Sequence, residues 1–101
     1  MAAWFLAQRG GVVVARNLSV GRGEIDLVVR WGAQHAAVEV KTIGPGAIAD
    51  DPIERLSQAK LEQVRSLAGR LGRKYGRMRV DFVGVCATDE GVSVNWRMNA
   101  G

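Results

Sequence analysis

The sequence predicts an α+β (α/β) layer in which helices cover a mixed β-sheet, in the order αβββαββ. Two observations carry this. Short apolar segments of strand length alternate with glycine-bearing breaks, and one long segment, Pro52 to about Tyr75, repeats its apolar residues at helical spacing before the strand pattern resumes. The 101 residues suit one domain, 1–101, large enough for a modest core without disulfides.

Taken in order, residues 2 to 9 read as the end of an amphipathic helix closed by Gly10-Gly11. Val12 to Arg16 follows as a strand. Residues 23–30 and 35–42 are the next two strands, completing a three-stranded meander. Trp31-Gly32-Ala33-Gln34-His35 between them is a break of hairpin length, which makes the pair antiparallel. Thr42 to Asp51 carries Gly44-Pro45-Gly46 and reads as a loop. In the helix that follows, Asp51-Pro52 is the start signal, and Ile53, Leu56, Val64, Leu67 and Leu71 fall on one face with Lys60 in its middle. Arg55, Arg70 and Arg73 fall on the opposite face, the ordinary position for solvated cations. Arg79 to Cys86 and Gly91 to Met98 are the last strands, joined by Thr88-Asp89-Glu90-Gly91.

The meander carries its charges where a strand normally buries carbon. Strand periodicity puts Glu24 and Asp26 on one face with Ile25 and Leu27 on the other, and separates Glu39 and Lys41 from Val38 and Val40. A turn centred on Gly32-Ala33 places Asp26 opposite Glu39, with Cβ atoms about 5 Å apart, and Glu24 opposite Lys41. Two carboxylates that close repel unless one holds a proton or a cation lies between them, and a hard divalent cation answers this with oxygen ligands. Asp26 and Glu39 are thus candidate ligands for Mg²⁺ or Mn²⁺, with Lys41 beside them to stabilise developing charge in phosphodiester hydrolysis. Lys60, near the helix start and close to the end of the strand that carries Lys41, could meet the scissile phosphate or neutralise Glu24. Plainer readings stand beside these: Glu39 and Lys41 as a surface ion pair, and Lys60 as a lysine snorkelling from an apolar stripe.

Other residues read more simply. Cys86 lies in an apolar run and is expected to be a core thiol, and Asp81, beside Arg79 on one strand face, a buried structural partner. His35 is expected as a solvated turn residue, and Trp4, Trp31 and Trp96 as scattered packing residues. Fourteen Lys and Arg against ten Asp and Glu give a net charge of +4, with much of the basic charge gathered between Arg65 and Arg79. That balance favours a polyanionic partner, and Arg70, Arg73 and Lys74 at the helix end are candidate phosphate contacts. The first residues lack a basic leader and the apolar length of a membrane span, so a cytoplasmic protein is expected.

These motifs resemble the bacterial YraN-like family of predicted endonucleases, distant relatives of the archaeal Holliday junction resolvases within the PD-(D/E)XK nuclease superfamily. Arg16-Asn17 precedes the signature, Gly23-Glu24-Ile25-Asp26-Leu27 matches GEIDL, and Val38-Glu39-Val40-Lys41-Thr42 matches VEVKT. Lys60, Leu61 and Ala68 fit the family's helix, Arg79-Val80-Asp81-Phe82-Val83 its RFD-like strand, and Asn99-Ala100 its close. The chain differs in having no Asp or Glu before Glu24 and Ile43 where the family usually has Arg. The resemblance implies a restriction-endonuclease-like core with Asp26, Glu39 and Lys41 in the D…ExK positions and the metal on Asp26, Glu39 and the carbonyl of Val40. It implies a Mg²⁺- or Mn²⁺-dependent DNA endonuclease selective for structured or branched DNA, with no membrane partner, and it allows a homodimer. The alternatives are a catalytically inactive nucleic-acid-binding module on the same scaffold and an assembly adaptor whose basic helix faces a protein.

Overall fold

The computed structural model describes residues 1–43 and 58–98. Helix α1 (Ala2–Gln8) leads into strands β1 (Val12–Val20), β2 (Gly23–Trp31) and β3 (Gln34–Ile43); helix α2 (Gln58–Tyr75) is followed by β4 (Met78–Thr88) and β5 (Gly91–Arg97). The fold is α+β, with the expected order αβββαββ and a five-stranded mixed sheet ordered β1-β2-β3-β4-β5. β1, β2 and β3 form an antiparallel meander, β3 and β4 run parallel, and β5 returns antiparallel to β4. Such an arrangement is compatible with a PD-(D/E)XK-like core. Parallel neighbours need a crossover, and the crossover from β3 to β4 contains α2. The loop expected over Thr42 to Asp51 and the helix start with Ile53, Arg55 and Leu56 fall largely or wholly outside the described residues, as does Asn99-Ala100.

The sheet separates two apolar layers. Beneath α2 lie Val20, Ile25, Val28, Ala37 and Val80 against Val64, Leu67, Ala68 and Leu71. Beneath α1 lie Leu27, Val29, Ala36, Val38, Val83 and Val85 against Ala2 and Leu6. Adjacent residues such as Ala36, Ala37 and Val38 enter opposite layers in turn, as a strand covered on both faces requires. Burying each Val, Leu or Ile side chain contributes about 1.5–3 kcal/mol relative to exposure. Gly23 shows how closely α2 is seated, because a Cβ there would lie 2.6 Å from Leu67 Cδ1. Cys86 is a buried free thiol of this interior.

Three elements differ from the sequence reading. β1 continues to Val20 because Leu18 and Val20 join the α2-side layer, although Asn17 and Ser19 have loop chemistry. His35 lies in β3 and not in the turn: the hairpin closes on Trp31–Gln34, leaving Gly32 and Ala33 as the turn with Gly32 at φ 59°. It is half-buried, its ring 5.1 Å from that of Tyr75. The tryptophans are not all scattered either. Trp31 stacks on Trp96 at 5.3 Å, reaching across the two intervening strands, and Phe5 of α1 meets Trp96 edge-on at 6.4 Å. Only Trp4 stands apart, 63% exposed.

Candidate active site

The β2–β3 ladder descends from the turn as Trp31–Gln34, Arg30–His35, Val29–Ala36, Val28–Ala37 and Leu27–Val38, then stops. Asp26 and Glu39 would be the next pair of that register. There the backbones cease to pair, and Asp26 Oδ2 accepts a hydrogen bond from Val40 N–H at 2.9 Å. The side chain of one strand has replaced the backbone of that strand as the acceptor. Glu24 and Lys41 accordingly lie beyond the ladder, both exposed, and no ion pair joins them among the described residues; the facing pair expected from the turn does not form.

The alternation expected along Gly23-Glu24-Ile25-Asp26-Leu27 is also broken. Ile25 packs beneath α2, whereas Leu27 packs beneath α1. Residues two apart thus lie on opposite faces, so Glu24 and Asp26 do not form one continuous charged face. The reversal coincides with Asn17 on β1, which has φ 48° and sits where pairing skips from Arg16–Leu27 to Leu18–Ile25. Asp26 consequently opens on a 380 Å³ hollow shared with Arg16, Asn17, Val40 and the first residues of α1.

Glu39 is buried, only 7% exposed, on the α2 side of β3. Its Oε1 lies 3.3 Å from Lys60 Nζ, while its Oε2 is buried without a hydrogen-bond partner. Burial pushes the Glu39 carboxyl above its ordinary range, the nearby charge of Asp26 pushes it further, and Lys60 pulls it down. Glu24 adds a smaller upward push. Lys60 therefore points at the sheet from the helical face where Val64, Leu67 and Leu71 are buried, and it meets a carboxylate instead of leaving for bulk water.

The donor set suits a hard divalent ion. A carboxylate oxygen without a partner, in a buried group whose charge is opposed by a second carboxylate, is the environment that a cation relieves. Among the described residues no group of three or more His, Cys, Asp or Glu gathers around one point. Mg²⁺ commonly takes only one or two carboxylates from the protein and fills its shell with water and substrate phosphate oxygens.

Arg70, Arg73 and Lys74 belong to the other end of α2. At 1.5 Å per residue they stand about 15 to 21 Å along the helix from Lys60. All three are exposed. Arg70 does not simply face solvent: its guanidinium lies over Gly21 in the β1–β2 turn, where any Cβ would collide with it.

A second buried carboxylate, Asp81, occupies β4 on the α1 side. It is wholly buried and accepts from Arg79 Nε and Nη2 at 2.7 and 2.8 Å and from Trp96 Nε1 at 3.1 Å. The Arg79 guanidinium stands 5.1 Å from the Trp31 ring, and Trp31 Nε1 donates to the Arg9 carbonyl at 3.3 Å. Arg79 and Asp81 were recognisable as same-face neighbours, but the tryptophans that complete the cluster have no local sequence signal.

The model of the Uncharacterised protein family UPF0102 matches residues 1–85, spanning α1, the meander and most of β4. The chain belongs to UPF0102, the YraN family. It is similar to a UPF0102 protein of Thermotoga maritima, 39% identical over 95 residues that make up 91% of this chain and 83% of that protein. A UPF0102 protein of Streptomyces coelicolor is 38% identical over 100 residues, 93% of this chain and 76% of its own length. One from Parvibaculum lavamentivorans is 45% identical over 73 residues, covering 72% and 53% of the two chains. Among the described residues of this UPF0102 member, no helix is long and apolar enough to cross a membrane.

Proposed function

We propose that this UPF0102 chain is a metal-dependent phosphodiesterase acting on DNA, a structure-selective endonuclease. The observation that carries the reading is Glu39: buried, with one oxygen on Lys60, the other without a partner, and Asp26 close enough to oppose its charge. Asp26, Glu39 and the carbonyl of Val40 would hold Mg²⁺ or Mn²⁺. When bound, such an ion polarises phosphate and lowers the pKa of its water. Asp26 is held in place by the Val40 N–H, and Glu39 by Lys60. Lys41, exposed at the same end of β3, stabilises charge that develops on the phosphate, since an ammonium is protonated near neutral pH.

The basic end of α2 supplies position, not sequence reading. Arg70, Arg73 and Lys74 lie about 15 to 21 Å from Lys60 along the helix, a span of roughly four to six nucleotides at 3.4 Å per strand step.

The test is cleavage of duplex, single-stranded and four-way-junction DNA by the purified protein with and without Mn²⁺. Metal-dependent cleavage is expected, reduced about 10²- to 10³-fold in Lys41→Ala with the fold unchanged. Calorimetry is expected to show weaker Mn²⁺ binding by Asp26→Asn. Binding to DNA without cleavage under any of these conditions would replace this reading with that of a catalytically inactive nucleic-acid-binding module.

A further inference from the structure

We propose that Asn17 is a positioning residue: its left-handed backbone breaks the β1–β2 pairing opposite Asp26 and so frees that carboxylate to reach across to β3. The role rests on the proposed metal site, although the geometry on which it stands does not.

The signature of the break is present on both strands. On β1, Ala15 and Leu18 pack against the same layer beneath α2 although they are three residues apart. On β2, Ile25 and Leu27 enter opposite layers although they are two apart. Both departures reverse the two-residue period of a strand, and they bracket positions 17 and 26. Asn17 is the only non-glycine residue with positive φ among the described residues. Asparagine enters that region far more readily than a β-branched residue, and a β-branched residue would favour regular extended backbone.

The consequence appears one strand away. β2 withdraws from β3 beyond Leu27–Val38, leaving the Val40 N–H without a β2 carbonyl, and Asp26 Oδ2 takes it. Asp26 opens on the hollow it shares with Arg16, Asn17 and Val40, and its charge still acts on Glu39 of β3. A regular β2 would instead continue the ladder through Asp26 and Glu39.

Amide hydrogen exchange of the whole chain, read by NMR, tests this. In Asn17→Val the Val40 amide is expected to exchange about tenfold faster, while the Val83 amide on β4 keeps its rate. Asn17→Gly, which adopts positive φ freely, is expected to retain wild-type protection at Val40, and Asn17→Ala to fall between. Unchanged protection in Asn17→Val overturns the proposal, as does equal loss in Asn17→Gly and Asn17→Val, which would assign the effect to the amide side chain. If Asn17→Val does not fold, the contrast between Asn17→Ala and Asn17→Gly decides in the same way. Calorimetric Mn²⁺ affinity is expected to follow the same order, and equal affinity across the series would remove Asn17 from the site. A wild-type protein that binds no Mn²⁺ would refute the proposed function while the Val40 exchange still decides what Asn17 does.

Discussion

Glu39 and Asp81 are buried carboxylates on adjacent parallel strands, one register step apart, with Val38 facing Asp81 and Glu39 facing Phe82. They lie on opposite faces of the sheet. Asp81 receives a forked pair of hydrogen bonds from Arg79 and another from Trp96, so both of its oxygens are matched by donors. Glu39 receives one lysine on one oxygen, keeps the other bare, and is opposed by Asp26. The two neighbours thus differ in how fully their oxygens are satisfied. Satisfied groups hold a fold together, and groups left short of partners are where a fold meets something else.

The contrast can be broken most forcefully at Asp81. Asp81→Ala leaves the Arg79 guanidinium and the Trp96 N–H without their acceptor, and should cost about 3–5 kcal/mol of stability by urea denaturation. A loss below about 1 kcal/mol would mean that Asp81 is no anchor. Glu39 should respond with the opposite sign. Its carboxyl titrates above the ordinary 4.5, so between those two values the native state holds a proton that the unfolded chain has released. Stability therefore falls as pH rises from about 4.5 through the raised value. Glu39→Gln should remove that slope, so the variant gains on the wild type as pH rises above about 4.5.

Lys60 offers the smallest and sharpest measurement. Its side chain is 42% exposed, so Lys60→Met should change stability by less than about 1 kcal/mol. Because Lys60 pulls the Glu39 carboxyl down, its removal should move the Glu39 titration, followed by carbon NMR, to higher pH. An unmoved titration would show that the pair seen at 3.3 Å has no electrostatic consequence.

The sequence made some of this legible for identifiable reasons. A two-residue turn fixes hairpin register, so the step that would pair Asp26 with Glu39 could be read from Gly32-Ala33. Helical phase put Lys60 on the buried face, and Lys60 does meet Glu39. Strict strand alternation, in contrast, gave the wrong faces for Ile25 and Leu27, because a left-handed residue on a neighbouring strand leaves no trace in the local pattern of β2. The Trp31–Trp96 stack was hidden for a related reason: it joins residues far apart in the chain, and periodicity describes only neighbours.

The parallel seam between β3 and β4 predicts an order of assembly. The meander needs only short turns to close, whereas the seam must wait for the long crossover that carries α2. Asp26 and Val40 can therefore find each other within the early hairpins. Lys60 reaches Glu39 only once α2 docks, and Asp81 takes its place beside Val38 only once the seam closes. In that order the acidic pair of the candidate site forms before the helix lysine that restrains it arrives.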